Sequence, residues 1–347
     1  LREVGWYGSI ETRTKGAIMR AWRLSELGDP WDVLSLEQVE SPSPGVGEAR
    51  VEVSASDLNF ADILQCQGQY QVRLDPPFTP GMSVAGTVVE VGPECDLRPG
   101  DRVLGMTASG WGGYAEEALV RGHDMRIVPS NVSLPAASAM NVIYATGWTA
   151  LHRRGHMQPG ETVLVLAAAG GVGSAAVQMA KVHGCTVIAA AGGSDKVEVC
   201  RSLGADVVVD YNSEDLYEKV MDATAGRGCD LIYDPVGGDF FDIARRLVAW
   251  EGRLLVVGFA SGDIPSAPAN HLLVKNYSVV GVHMGGYKGR MDEVLDDCYS
   301  QLWEMVSNGT LDPLVSRELR LEDLVDALVD LSARKTTGRL MLRPDLR

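Results

Sequence analysis

Gly170, Gly171, Val172 and Gly173 stand between an apolar run, VLVLA at 163–167, and a helix-like run, SAAVQMAKV at 174–182. Glycines at such a junction permit a tight turn, close approach of the backbone to a pyrophosphate, and close packing of the helix on its strand. The helix N-terminus adds unpaired N–H groups that favour phosphate. The competing reading is a purely structural glycine turn. Further strand and helix patterns downstream favour a dinucleotide site.

The next strand pattern separates two cofactors. An NAD site usually closes its second strand with an acid that bonds the adenosine ribose. The segment VIAAAGGSDK at 187–196 has Ala191 and Gly192 there instead, followed by Ser194 and Lys196. A hydroxyl and an ammonium at those positions suit a 2′-phosphate, so the expected cofactor is NADPH. The plainer alternative is an N-cap serine and a solvated lysine, with Asp195 capping the next helix. Gly258 and Phe259 follow the run RLLVV at 253–257 and belong at the carboxyl end of that strand, where cofactors bind in open parallel sheets.

Metal chemistry finds little support in the residue types. The six cysteines contain no C-x-x-C pair, and several lie in apolar runs where a thiol acts as a small hydrophobe. Of the six histidines, only His152 and His156 are spaced like ligands, and one pair is an incomplete site that reads better as a surface coincidence.

The elements that must position these groups follow two rhythms. From 19 to about 140, short alternating strands between Pro and Gly punctuation predict a mostly β domain, ending in a helix over 135–152. From about 160, strands at 162–167, 186–190, 207–209, 229–233, 253–257 and 278–282 alternate with helices, the mark of a doubly wound parallel sheet. Residues 1–18 show no clear periodicity and read as an extension, native or added. The expected division is therefore 1–18 as extension, 19–140 with 286–347 as one domain, and 141–285 as the cofactor domain.

A chain of 347 residues is long enough for two cores, and its 46% apolar content argues against disorder. The net charge of −15 disfavours nucleic acid and anionic membrane surfaces as partners. No run reads as a signal peptide or membrane span, which makes the cytoplasm the default location.

Longer motifs carry a resemblance. LNFADILQCQGQY (58–70), PFTPGMSVAGTVVEVG (77–92), RPGDRVLG (98–105), GGYAEE (112–117), GSDKVEVCRSLGAD (193–206) and VKNYSVVGV (274–282) follow one another in the order of the medium-chain dehydrogenase/reductase superfamily. The resemblance spans 19–344 and implies a GroES-like, mostly β catalytic domain built from both chain ends, with a Rossmann-type domain between them. Zinc-dependent members carry a Gly-His-Glu triplet where this chain has Gly81-Met82-Ser83, so it resembles the zinc-less quinone oxidoreductase branch, which includes enoyl reductases. Ser83 departs from the acid often found there.

By that resemblance Asn59 touches the carboxamide or the substrate, with an Asx turn as its structural alternative. Asp62 orients neighbouring backbone or takes part in the chemistry. Tyr70 matches a proton-donating tyrosine of enoyl thioester reductases, or only lines the pocket; Leu64 stands where some bacterial members carry tyrosine. Thr146 matches a position facing the nicotinamide, and Tyr211 an adenine-side or 2′-phosphate contact. Phe60 and Trp111 suit an apolar substrate wall or plain core packing, and Lys275 and Arg339 the phosphate side, a domain bridge or the surface. The expected function is metal-free hydride transfer from NADPH to a quinone-like acceptor. An enone, enal or enoyl-thioester reductase using Tyr70, and a non-catalytic nucleotide-binding protein, are the alternatives. The apolar strand at 276–285 implies a homodimer.

Overall fold

The computed structural model describes residues 16–70, 73–108 and 110–346. The expected 1–18 extension lies outside the described residues except for its last three. The chain divides into two units, the first made of 1–128, 318–334 and 341–347, the second of 129–317 and 335–340.

The first unit opens with β1 (Ile18–Leu24), the four-residue α1 (Pro30–Val33) and β2 (Leu34–Glu40), β1 and β2 forming an antiparallel hairpin. Next come β3 (Glu48–Asp57), α2 (Phe60–Cys66), β4 (Ser83–Val91), β5 (Arg102–Met106), β6 (Glu117–Arg121) and β7 (Arg126–Ile127). Strand β3 is the hub: β4 and β6 flank it antiparallel, and β5 continues outward from β4 to β7. Alternation sends Val51, Val53, Val84, Val88, Val103 and Val120 into one core. Arg50 breaks the pattern. It is only 1% exposed, and its guanidinium lies 2.9 Å from Glu90 and 3.5 Å from the equally buried Glu117.

The second unit begins with α3 (Leu134–Trp148), which passes into a π-helical turn over Thr149–Arg154. Its sheet strands alternate with helices: β8 (Thr162–Val165), α4 (Gly171–Val182), β9 (Thr186–Ala191), α5 (Ser194–Ser202), β10 (Val207–Asp210), α6 (Leu216–Ala223) and β11 (Cys229–Asp234). Then follow α7 (Gly238–Leu247), β12 (Val248–Val256), α8 (Ala269–Lys275), β13 (Ser278–Gly281), α9 (Asp292–Ser307) and β14 (Val315–Leu319). Of the last elements, α10 (Leu324–Ser332) belongs to the first unit, and β15 (Arg339–Leu342) starts in the second and ends in the first, where Met341 and Leu342 pair with Asp57 and Ser56 of β3.

All pairings in the six-stranded sheet are parallel, in the order β10-β9-β8-β11-β12-β13. Its β-branched and leucine side chains, among them Leu164, Ile188, Val209, Ile232 and Leu254, are fully buried with Phe241 and Leu247 of α7. The strand order reverses between β8 and β11, so the crevice at their carboxyl ends is the topological switch point where such sheets bind ligands.

The units do not part where the sequence pattern suggested. A break at 140 would cut α3, whose body packs on α4 and α9, so the division falls at Val128 and Pro129. Likewise α9 stays with the parallel sheet, and only 318–334 and 341–347 of the tail join the β unit.

Candidate functional site

In the second unit, β8 runs on through Leu166 N–H donating to Tyr233 O (3.1 Å) and Ala168 N–H to Ala190 O (3.0 Å). Between them Ala167 turns to φ +49°, which ends the strand two residues before the expected Ala167. Gly170 is the N-cap of α4, and Gly171, Val172 and Gly173 form its first turn. The glycines have separate tasks. A Cβ on Gly173 would lie 2.2 Å from Ala167 O and 2.8 Å from Ala168 Cα, so only glycine lets the helix sit this close to its strand. A Cβ on Gly170 would meet only Ala167 O at 3.3 Å. The front of the turn therefore stays open to a ligand facing a helix N-terminus. This cradle fits the pyrophosphate of a dinucleotide.

Arg339 reaches the same turn from far along the chain. Gly338 N–H donates to Ala169 O (2.8 Å) and Arg339 N–H to Leu314 O (2.9 Å). The guanidinium then lies about Gly171, with Nη1 3.3 Å from that residue's Cβ position. Arg339 is 6% exposed, and burial lowers its pKa to about 9. Lys275, its companion in the sequence reading, is elsewhere: its Nζ donates to Arg246 O (2.8 Å) and Val248 O (3.0 Å), satisfying carbonyls at the end of α7.

At the end of β9, Gly192 lies under the Tyr211 ring, whose Cε2 is 2.6 Å from where a Cβ would stand. Tyr211 also meets Phe240 edge-on at 4.9 Å. Gly193, at φ +93°, is the N-cap of α5, which makes Ser194 the first helical residue rather than its cap. Ser194 is exposed, its hydroxyl 3.3 Å from Asp195 Oδ1, and Lys196 is half-buried one turn into the helix. Ser194, Lys196 and Tyr211 thus gather at the carboxyl ends of the adjacent strands β9 and β10.

Gly258 and the 41% exposed Phe259 follow β12 as expected. Sequence reasoning missed the acid beside them. Asp234 closes β11, nearly buried, and its Oδ1 accepts the N–H groups of Val236 (2.8 Å) and Gly237 (2.9 Å). Burial pushes its pKa up against those bonds. Thr146 is a half-buried residue of α3 whose carbonyl accepts the Thr149 N–H.

In the first unit the chemistry-bearing residues cluster at α2. Asn59 is the N-cap, and its Nδ2 donates to Asp57 O (3.3 Å) and Asp57 Oδ2 (3.2 Å). Asp62 Oδ2 accepts the Asn59 N–H (2.8 Å) and the Tyr114 hydroxyl (2.8 Å), while Oδ1 accepts the Met82 N–H (3.1 Å). Full burial raises Asp62 to about 6 despite these donors. The carboxylate therefore ties the start of α2 to two loops. Those loops are themselves in contact: Gly81 sits at φ +97°, with Tyr114 N and Gly113 N at 2.7 and 2.8 Å from its Cβ position. The N–H groups of Gln69 and Tyr70 both donate to Leu64 O (2.8 and 3.2 Å), folding Tyr70 back over the helix. Burial, and then the Asp62 charge, raises the Tyr70 phenol, which stays protonated. Phe60 is half-exposed, whereas the Trp111 ring lies beneath the Arg23 guanidinium at 4.6 Å.

Among the described residues, no group of three or more His, Cys, Asp and Glu side chains is placed to hold a metal ion. His152 meets His183 edge-on at 4.9 Å. Burial, then His183, lowers it to about 4.

Comparison with known proteins agrees with this geometry. Residues 45–130 match the alcohol dehydrogenase GroES-like domain and residues 171–300 the family described as zinc-binding dehydrogenase. Quinone oxidoreductase-like protein 2 of Bos taurus is 40% identical over 94% of this chain and 93% of its own length. The chain belongs to the zinc-less quinone oxidoreductase branch of the medium-chain dehydrogenase/reductase superfamily. Two solved structures of similar proteins overlay it. A probable oxidoreductase from Mycobacterium abscessus gives a TM-score of 0.84 at 36% identity, covering 95% of this chain and all of that one, 100%. The quinone oxidoreductase of Thermus thermophilus, solved also as its complex with NADPH, gives 0.78 at 32% identity, covering 94% and 100%. The GroES-like and Rossmann-type assignment of the two units follows directly.

Proposed function

We propose that this zinc-less quinone oxidoreductase family member is an NADPH-dependent reductase that delivers hydride to a quinone or quinone-like acceptor. The feature that carries the reading is the end of β9: no acid stands there, and Ser194 and Lys196 in the first turn of α5, with Tyr211 just after β10, suit an adenosine 2′-phosphate. Gly170, Gly171, Val172 and Gly173 hold the pyrophosphate at the N-terminus of α4, with the buried cation of Arg339 beside them. Gly258 and Phe259 border the same carboxyl edge. Bound NADPH supplies the hydride, and the chain's own part is binding and orientation. Position 82, where zinc-dependent relatives carry histidine, is methionine, and the described residues of the first unit offer no ligand set for a Lewis acid; acceptors that take hydride without one suit it best.

Initial-rate oxidation of NADPH and NADH with a simple benzoquinone, beside an enone, tests the reading. Quinone turnover with strong NADPH preference is expected. Tight NADPH binding without turnover on any acceptor would leave a nucleotide-binding protein instead.

A second reading, reduction of an activated alkene, is favoured by Tyr70, whose phenol remains a donor near α2 and could stabilise developing enolate charge. In either case Asn59 orients substrate, Asp62 holds Asn59, and Thr146 serves the nicotinamide end.

Assembly as a homodimer is supported by β13, which ends the sheet and has one edge unpaired among the described residues. Next to it in sequence, α8 buries none of its residues, and Ile264, Leu273 and Val274 are 78%, 77% and 72% exposed. A monomer mass by light scattering would overturn this. All six cysteines are free, which suits a reducing compartment such as the cytoplasm; no helix among the described residues is long and apolar enough to cross a membrane.

A further inference from the structure

One carboxylate beside the cofactor strands has no part in the reading above. Asp210 closes β10, next to β9 in the sheet. Its Oδ1 accepts two backbone donors: Gly193 N–H at 2.8 Å, from the turn after β9, and Asn212 N–H at 3.0 Å, from its own turn. Its backbone N–H is held in turn by Glu214 Oε2 at 3.0 Å, and Glu214 pairs with Lys219 at 2.8 Å.

The turn that Asp210 grips is one that only glycine tolerates. Gly193 is at φ +93°, and Gly192 has the Tyr211 ring where a Cβ would be. A glycine pair gains the most conformational freedom when untethered, so something must fix it if the residues that follow are to hold a ligand. Ser194 begins α5 at the next position, and Lys196 is two further on. Tyr211 N–H donates to Ala191 O at 3.1 Å just before this turn, and Asp210 Oδ1 adds the bond that fixes Gly193 itself, one residue from Ser194.

We propose that Asp210 is the positioning residue that makes the chain selective for a 2′-phosphorylated adenosine, by stitching the Gly192–Gly193 turn to the Tyr211–Asn212 turn. The inference rests on Ser194 and Lys196 being the 2′-phosphate side. An acid so close to a phosphate would ordinarily repel it. Here the Gly193 and Asn212 amide donors already attend Oδ1 and lower its pKa, so the anion's hydrogen-bonding oxygen is turned to the backbone. The acid that recognises a ribose diol in an NAD site stands at the end of the second strand. This one stands at the end of the third and works on the loop.

Direct titration of the purified protein with 2′,5′-ADP and with 5′-ADP tests this, in wild type, Asp210→Ala, Asp210→Asn and Lys196→Ala. Both alanine variants are expected to weaken 2′,5′-ADP about tenfold or more, as loss of a charge-assisted bond would, with 5′-ADP changed less than about twofold. Asp210→Asn keeps an acceptor oxygen at the same place and should restore 2′,5′-ADP to within about threefold of wild type. The proposal is overturned if Lys196→Ala is selective and Asp210→Ala is not, either by sparing both ligands or by weakening them equally. If Lys196→Ala fails to discriminate, the phosphate assignment itself falls and takes the proposal with it. Melting curves confirm folding. Should Asp210→Ala not fold, Asp210→Ser, whose hydroxyl ends one bond short of the carboxylate oxygen, is read in its place by the same criteria.

Discussion

The Tyr114 hydroxyl donates to the Asp62 carboxylate at 2.8 Å, and both residues are fully buried. Removing the acceptor strands that buried hydroxyl and takes a partner from the part-buried Met82 and Asn59 amides. Asp62→Ala is expected to cost about 3 kcal/mol, within the range for stranded buried donors. Urea unfolding at neutral pH measures it.

The same carboxyl sets a pH dependence. Its folded pKa of about 6 lies above the unfolded value of about 3.9. A carboxyl raised in this way favours the folded state at low pH, and that contribution disappears as pH rises from about 4 through about 6. Wild type minus Asp62→Asn, compared by urea titration across that window, should therefore fall as pH rises and level off above it. A flat difference would mean the carboxyl is ionised throughout.

His152 tilts the other way. Held near pKa 4 against an unfolded value of about 6.5, it must charge on unfolding, so stability drops as pH falls from about 6.5 toward 4. His152→Phe should flatten that part of the thermal-denaturation profile, with the aromatic contacts to Trp148 and His183 kept in part.

Glycines of the phosphate turn should not be equivalent. Gly173→Ala drives a methyl into Ala167 O and Ala168 Cα, backbone atoms that cannot step aside, and is expected to cost about 1–3 kcal/mol and to abolish tight NADPH binding. Gly171→Ala meets the Arg339 side chain at 3.2 Å and Gly338 O at an ordinary contact distance of 3.5 Å, and should melt close to wild type. Calorimetry and NADPH titration on the two variants give the comparison.

Tyr70→Phe separates the two acceptor classes. With a quinone, kcat/KM should stay within about threefold. With an enone, loss of a proton donor should lower it about a hundredfold or more. Equal rates on the enone would end the acid role.

The fold was legible because the patterns that encode it are local. All six parallel strands lie within a few residues of their expected positions, and the glycine turn sits between the first of them and its helix. Of the site residues, Ser194, Lys196, Tyr211, Gly258 and Phe259 fall at strand ends because a strand's end is itself a sequence signal. What escaped notice depends on partners distant in the chain. Asp210 and Asp234 look like ordinary turn acids until the N–H groups they accept are seen. The spacing of His152 and His156 reads as a coincidence, and nothing near it in the sequence points to His183, which His152 meets edge-on. Trp111 reads as a substrate wall or as core packing, and neither reading points to the Arg23 guanidinium that lies over its ring. Arg50 sat in an alternating strand with nothing to mark it as buried.

The short stretch 335–340 belongs to the parallel-sheet unit, although the residues on either side of it, 318–334 and 341–347, belong to the other. It brings Gly338 to Ala169 and Arg339 to the glycine turn. During synthesis, then, the Rossmann-type sheet can emerge and pair long before its phosphate turn is finished. A ribosome stalled beyond β13 would carry a folded sheet with an unfinished cradle. Completion of the cradle waits on a segment made long after the glycine turn itself.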